Sequence, residues 1–144
     1  MSYFSIEELC KSDTARKYGI DNTPDEVQRK NLQRLIDNVL DPARSLLGKP
    51  ISVSSGFRCI LLNRKVGGVS TSQHVKGEAA DTQCYDCQYL FDLIKNNLEF
   101  DQLIYETKDI LKNGKVVGKK VWVHVSFSEH NRNQAFKMHN GKRI

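Results

Sequence analysis

Between Val27 and Leu47 the apolar residues Val27, Leu32, Leu35, Ile36, Val39, Leu40, Ala43, Leu46 and Leu47 recur at steps of three and four. That period predicts a long amphipathic helix with one stripe turned to the core. Thr23 is a suitable N-cap, Pro24 fits the first helical position and Glu26 completes a capping box. Pro42 kinks or divides the helix, and Gly48 and Pro50 end it. A shorter helix over residues 6–11, boxed by Ser5 and Glu8, precedes it.

The later chain carries a different period. Residues 51–54 read as a short strand, residues 59–66 as a short helix ended by Gly67 and Gly68, and "EAADT" as a small-residue strand after a loop. "YDCQYLFDLIKNNL" is a second amphipathic helix, with Tyr89, Leu90, Leu93, Ile94 and Leu98 on one side. "DQLIYE" reads as a strand, Asn113-Gly114 as a hairpin turn and "VWVHVSF" as the last strand. Helices first and hairpin-linked strands later predict an α+β fold, with helices on one face of a small antiparallel sheet. No repeat or linker divides the 144 residues, so residues 1–144 are read as one domain.

Composition removes several classes. Hydrophobic residues at 39% and charged residues at 27% describe a globular chain, and no apolar run approaches the ~20 residues that span a bilayer. No basic region followed by an apolar one opens the sequence, so synthesis in the cytoplasm without a signal peptide is expected. The charge of +5 gathers at Lys112, Lys115, Lys119 and Lys120, and again at Lys137, Lys142 and Arg143. Such clusters suit a polyanion, but they lack the interleaved aromatics of single-strand readers, so no nucleic-acid partner is expected. Cys84 and Cys87 form a C-x-x-C that is half a zinc knuckle, a redox pair or two free thiols; Cys10 and Cys59 do not complete a disulfide framework.

One stretch asks for chemistry. His74 and Asp81 lie seven residues apart among glycines and small residues, where a core has no use for them. An imidazole and a carboxylate bind zinc at ~2.0–2.2 Å, and a loop His joined to a strand Asp through Gly77 can converge that closely. A third ligand from a neighbouring strand would leave one position open, as catalytic zinc requires. In "VWVHVSF", Val121, Val123, Val125 and Phe127 share the core face, and Trp122, His124 and Ser126 share the other. His124 is there a cleft residue, a satisfied histidine or a ligand.

"SSGFRCILLN", "SQHVKGEAAD" and "WVHVS", in that order, resemble the zinc D-alanyl-D-alanine peptidases of the M15 family, most closely its small phage and bacterial members. "FSIEEL", "SDTARKYGIDN" and "LDPARSLLG" extend the resemblance to about residues 4–133. It implies a Hedgehog/DD-peptidase-like fold and zinc held by His74, Asp81 and His124. It also implies that Arg58 binds a substrate carboxylate or carbonyl through its paired donors. Ser72 and Gln73 support the loop or touch substrate, and Trp122 walls the cleft.

One departure stands out. Several branches of the family carry a glutamate three residues before the last histidine, where this chain has Val121. The general base must then come from elsewhere: Glu106 at the end of "DQLIYE" is the first candidate, with Glu78 and His130 as alternatives. The resemblance implies zinc-dependent hydrolysis of peptidoglycan stem peptides in the cell wall, of the D-alanyl-D-alanine carboxypeptidase type. An L-alanyl-D-glutamate endopeptidase, as in a phage lysis enzyme, and a non-catalytic zinc-containing wall or virion module stay open. No oligomeric state is legible.

Overall fold

The computed structural model describes residues 2–144. Helix α1 (Ile6–Leu9) is capped by Ser5, and α2 (Asp13–Lys17), absent from the sequence reading, is capped by Ser12. Helix α3 (Glu26–Leu35) starts later than expected. Its N-cap is Asp25, in a reciprocal box with Gln28, because the Thr23 hydroxyl is already bonded to Asp21. The helix does not break at Pro42. It widens into a π turn (Ile36–Leu40), in which Asp41 N–H reaches back to the Ile36 carbonyl, and continues as α4 (Asp41–Leu47). The turn spends one extra residue just before the position with no N–H to give. Leu32, Leu35, Ile36, Val39, Leu40, Ala43 and Leu47 are buried along this path. Val27 and Leu46 are exposed, so the stripe is narrower than its period suggests.

Strands β1 (Ser52–Ser55), β2 (Ala79–Gln83), β3 (Gln102–Lys112), β4 (Lys115–Ser126), β5 (Gln134–His139) and β6 (Lys142–Arg143) form one sheet in the order β1-β2-β4-β3-β5-β6. Asn113 (φ 53°) and Gly114 (φ 75°) make the expected hairpin turn between β3 and β4, since both positions need positive φ. The sheet is mixed, not purely antiparallel: β5 runs parallel to β3. The chain leaves β4 beside the start of β3, crosses that end and turns back along the far edge. A second Asn-Gly, at 140–141, then folds β6 onto β5 through the same pair of positive φ angles. The segment beyond "VWVHVSF" was expected to hold no strand; it holds two, and no alternating apolar stripe marks β5, of which only Ala135 packs against the core.

Helix α5 (Ile60–Lys65) follows β1, and α6 (Cys87–Asn97) follows β2. Leu90, Phe91 and Ile94 of α6 join the α3–α4 stripe over Ala80, Leu103, Val123 and Val125. Tyr89 is exposed and Phe91 takes the buried place expected of it. Asp81 pairs with His124 across β2 and β4, and Glu106 with Trp122 across β3 and β4. Strand alternation therefore sets these four side chains on the face opposite the core.

Gly56 joins the two layers. The Phe57 amide donates to the Leu9 carbonyl at 2.8 Å, and a Cβ on Gly56 would overlap that same carbonyl oxygen. Gly56→Ala must push α1 off the sheet end, so it is expected to lower stability by about 1–3 kcal/mol, the usual cost of overpacking. A urea midpoint equal to that of the parent would show that α1 yields freely.

Candidate metal centre

His74 stands in a coil of tight turns between α5 and β2. Lys76 N–H bonds the Gln73 carbonyl, Gly77 N–H the His74 carbonyl, and Glu78 N–H the Gln73 carbonyl. Gly77 carries φ 76° and lies so near α3 that a Cβ would come to 2.6 Å from the Gln28 carbonyl oxygen. The Ser72 hydroxyl accepts the His74 amide at 3.2 Å. His74 Nδ1 donates to the Gly56 carbonyl at 2.7 Å, which leaves Nε2 facing the sheet as an acceptor.

That nitrogen lies 3.5 Å from Asp81 Oδ1, and His124 Nδ1 lies 3.0 Å from the same oxygen. The donor atoms of all three residues fall within 4.8 Å of one another. Two imidazoles and a carboxylate that close are the donor chemistry zinc prefers. Their protonation suits it. Burial lowers the pKa of His74 and so favours the neutral ring that ligates metals. Burial alone would raise Asp81, but the hydrogen bond with His124 and the close approach of His74 outweigh it and hold the group below the usual carboxylate range.

Arg58 closes the back of the centre. Its Nη2 lies 3.5 Å from Asp81 Oδ2, while Nε and Nη1 donate to Ser55 Oγ (3.0 Å) and Asn63 Oδ1 (3.1 Å). Burial lowers its pKa and Asp81 opposes the shift. The guanidinium is thus an orienting partner of the central carboxylate, with most of its donors engaged. Glu106 Oε2 accepts the Trp122 indole N–H at 3.0 Å. Burial raises the Glu106 pKa, and the charge of Asp81 raises it further against His124, Trp122 and Arg58. Val121, on the core face, cannot supply a carboxylate in its place.

The other candidates Gln73, Glu78, His130, Cys84 and Cys87 lie apart from this cluster. Glu78 and His130 line a separate cleft of about 520 Å³, together with Gln73, Asp101 and Arg132. The Gln73 amide donates to Asp101 Oδ2 (2.8 Å) and to Glu78 (3.4 Å), so it braces the coil that carries His74. Cys84 follows β2 and Cys87 opens α6; both are half-buried against the core and neither belongs to the metal cluster.

Asp101 is the residue the sequence reading missed. It is buried, and Arg132 grips it through Nε (2.8 Å) and Nη2 (2.9 Å), while the Arg132 amide bonds Oδ1 as well. Its backbone bonds Ser126 and Gln134, so one residue ties β3, β4, β5 and the His74 coil together. A signal did exist: an acidic residue just ahead of β3, at the head of the "DQLIYE" segment.

The hydrogen bonds from Arg132 hold Asp101 below its ordinary pKa. Its contribution is then full above the unfolded pKa and vanishes as pH falls through the lower folded value. Asp101→Asn is expected to unfold at lower urea than the parent at neutral pH and to lose less on moving to about pH 3. Equal midpoints at neutral pH would remove Asp101 from this role.

Comparison with known proteins gives the family. A family model described as Peptidase M15 matches residues 2–126. A zinc D-Ala-D-Ala carboxypeptidase from Streptomyces albus G is 49% identical over 43 residues, which make up 29% of this chain and 17% of that relative. The shared segment is thus a small part of that enzyme, whereas the family match runs through β4 and includes every residue of the cluster. The chain belongs to the peptidase M15 family.

Proposed function

We propose that this chain is a zinc peptidase that cleaves peptidoglycan stem peptides, with His74, Asp81 and His124 as metal ligands and Glu106 as general base. The observation that carries this reading is the convergence of three ligating side chains, from a coil and two adjacent strands, beside a fourth carboxylate on the same sheet face. The family and the name of the relative, a zinc D-Ala-D-Ala carboxypeptidase, support this choice of substrate. Carboxypeptidase action is preferred to endopeptidase action on that ground, and action at a cell wall goes with it.

Zinc, when bound, supplies a Lewis acid that polarises a carbonyl and acidifies water. The chain's own residues do the rest. Gly56 fixes the His74 tautomer through Nδ1. Arg58 and the two imidazoles orient Asp81. The Trp122 indole holds Oε2 of Glu106, so its other oxygen is left to take the proton of the attacking water and pass it to the leaving amine. A base works best with a pKa near the working pH, and the upward shift of Glu106 moves in that direction. Trp122 walls this end of the face, and the Arg58 donors not engaged by Ser55, Asn63 and Asp81 are the ones left to a substrate carboxylate or carbonyl.

Two sets of variants test the assignment. Glu106→Gln keeps size and the indole bond but cannot take a proton. It is expected to bind about one zinc per chain, as the parent does, and to lose about 10²–10⁴-fold in turnover of stem peptides. Glu78→Gln, in the separate cleft, is expected to stay within a few-fold of the parent. Parental turnover in Glu106→Gln with a dead Glu78→Gln would transfer the role. Full zinc retention in both His74→Ala and His124→Ala would remove the ligand assignment. Cys84→Ser/Cys87→Ser is expected to keep metal and activity, and loss of zinc there would relocate the site to the C-x-x-C.

A further inference from the structure

The C-terminal strands, which lie beyond the family match, build a second surface next to Glu106. The Asn140-Gly141 turn is hydrogen-bonded to β3 at Thr107 and Asp109 and lines, with Glu106, Lys108, Leu111 and Trp122, a cleft of about 470 Å³. Lys108 sits directly opposite Lys120 in the β3–β4 register, one side-chain pair beyond Glu106 and Trp122 on the same face. Like charges directly opposite each other across a sheet destabilise it. No carboxylate among the described residues forms an ion pair with either ammonium. The nearby acids are committed elsewhere. Glu106 holds the Trp122 indole, and Asp109, also on the cleft wall, accepts from Asn140 Nδ2 at 3.0 Å and lies 3.4 Å from His139 Nε2.

We propose that this cleft is a substrate subsite in which Lys108, on its wall, and Lys120, opposite Lys108 in the sheet register, bind a carboxylate of the peptide. The inference rests on the zinc-peptidase reading and adds to it a preference for acidic substrates. Strand geometry sets the spacing: the lysine pair lies about 7 Å from the Glu106–Trp122 pair and about 13 Å from His124. An extended peptide advances about 3.3 Å per residue, so the carboxylate recognised lies roughly two to four residues from the bond cut at the metal. In a stem peptide cleaved between its terminal D-alanines, the free α-carboxylate of the D-glutamyl residue falls in that range. Its carboxamide form would lose the attraction, because it presents no charge to the two ammonium groups.

The test uses two tripeptides that contain neither of the bonds discussed above: γ-D-glutamyl-L-lysyl-D-alanine and the same peptide with the α-carboxylate as carboxamide. Each is titrated calorimetrically, at low salt, into the zinc-loaded parent and into Lys108→Gln/Lys120→Gln. The parent is expected to bind the carboxylate form about fivefold to tenfold more tightly, the scale of two exposed charge pairs. The double variant is expected to bind both forms alike and to unfold at a urea midpoint no lower than that of the parent, since repulsion has been removed. Equal affinities in the parent, a preference that survives in the double variant, or binding of neither tripeptide would overturn the subsite. Failure of the parent to cleave any stem peptide would instead overturn the peptidase reading, whatever the two tripeptides show.

Discussion

The Asp81 carboxylate is the point on which the rest depends. It sits between two imidazoles and a guanidinium, with oxygen Oδ1 shared by His74 and His124 and Oδ2 turned to Arg58. A buried carboxylate is tolerated only where such partners surround it. Three separate pieces of chain must therefore meet at one side chain: the segment after β1, the coil before β2 and the last residues of β4, at His124. The Asp81–His124 contact follows from strand register alone. The His74 contact does not. It needs the coil folded tightly enough for Nδ1 to reach Gly56, which in turn leans on α1.

A second carboxylate, Asp101, supports the first from a distance. It binds Arg132 with both oxygens, holds the Gln73 amide and anchors the chain where β4 hands over to β5. The coil that presents His74 is thereby braced from the C-terminal segment, although that segment lies outside the family match. The same segment helps line the cleft beside Glu106. One addition at the sheet edge thus both stiffens the metal coil and shapes the ground beside the proposed base.

The parts of this arrangement that were legible in the sequence are those written in local chemistry. The period of three and four between Leu32 and Leu47 shows the long helix, and Asn113-Gly114 shows its hairpin, because positive φ at two successive positions admits few residue pairs. Alternation in "VWVHVSF" separates Val123 and Val125 from Trp122 and His124 correctly. The resemblance carried by the S-G-F-R, His-x6-Asp and W-x-H segments agrees with the family match. What escaped was set by tertiary context. Nothing local distinguishes Thr23 from Asp25 as a cap until Asp21 takes the threonine hydroxyl. Tyr89 and Phe91 are equally apolar on paper, and only the angle at which α6 meets the sheet decides which is buried. The parallel strand β5 was hidden for a different reason: its pairing is with β3, some thirty residues earlier, and no turn signal marks such a partner. Asp101 went unremarked because its partners, Gln73 and Arg132, are distant in sequence on either side.

The central claim concerns which atoms hold the metal, and one measurement reads it directly. A crystal of the protein grown with zinc, measured on both sides of the zinc absorption edge, locates the ion from its anomalous signal alone. The expected result is a single strong peak at ~2.0–2.2 Å from His74 Nε2, His124 Nδ1 and an Asp81 oxygen, with Glu106 on the open side of the ion. A peak at Cys84 and Cys87, or one that leaves His74 or His124 outside ligand distance, would contradict it.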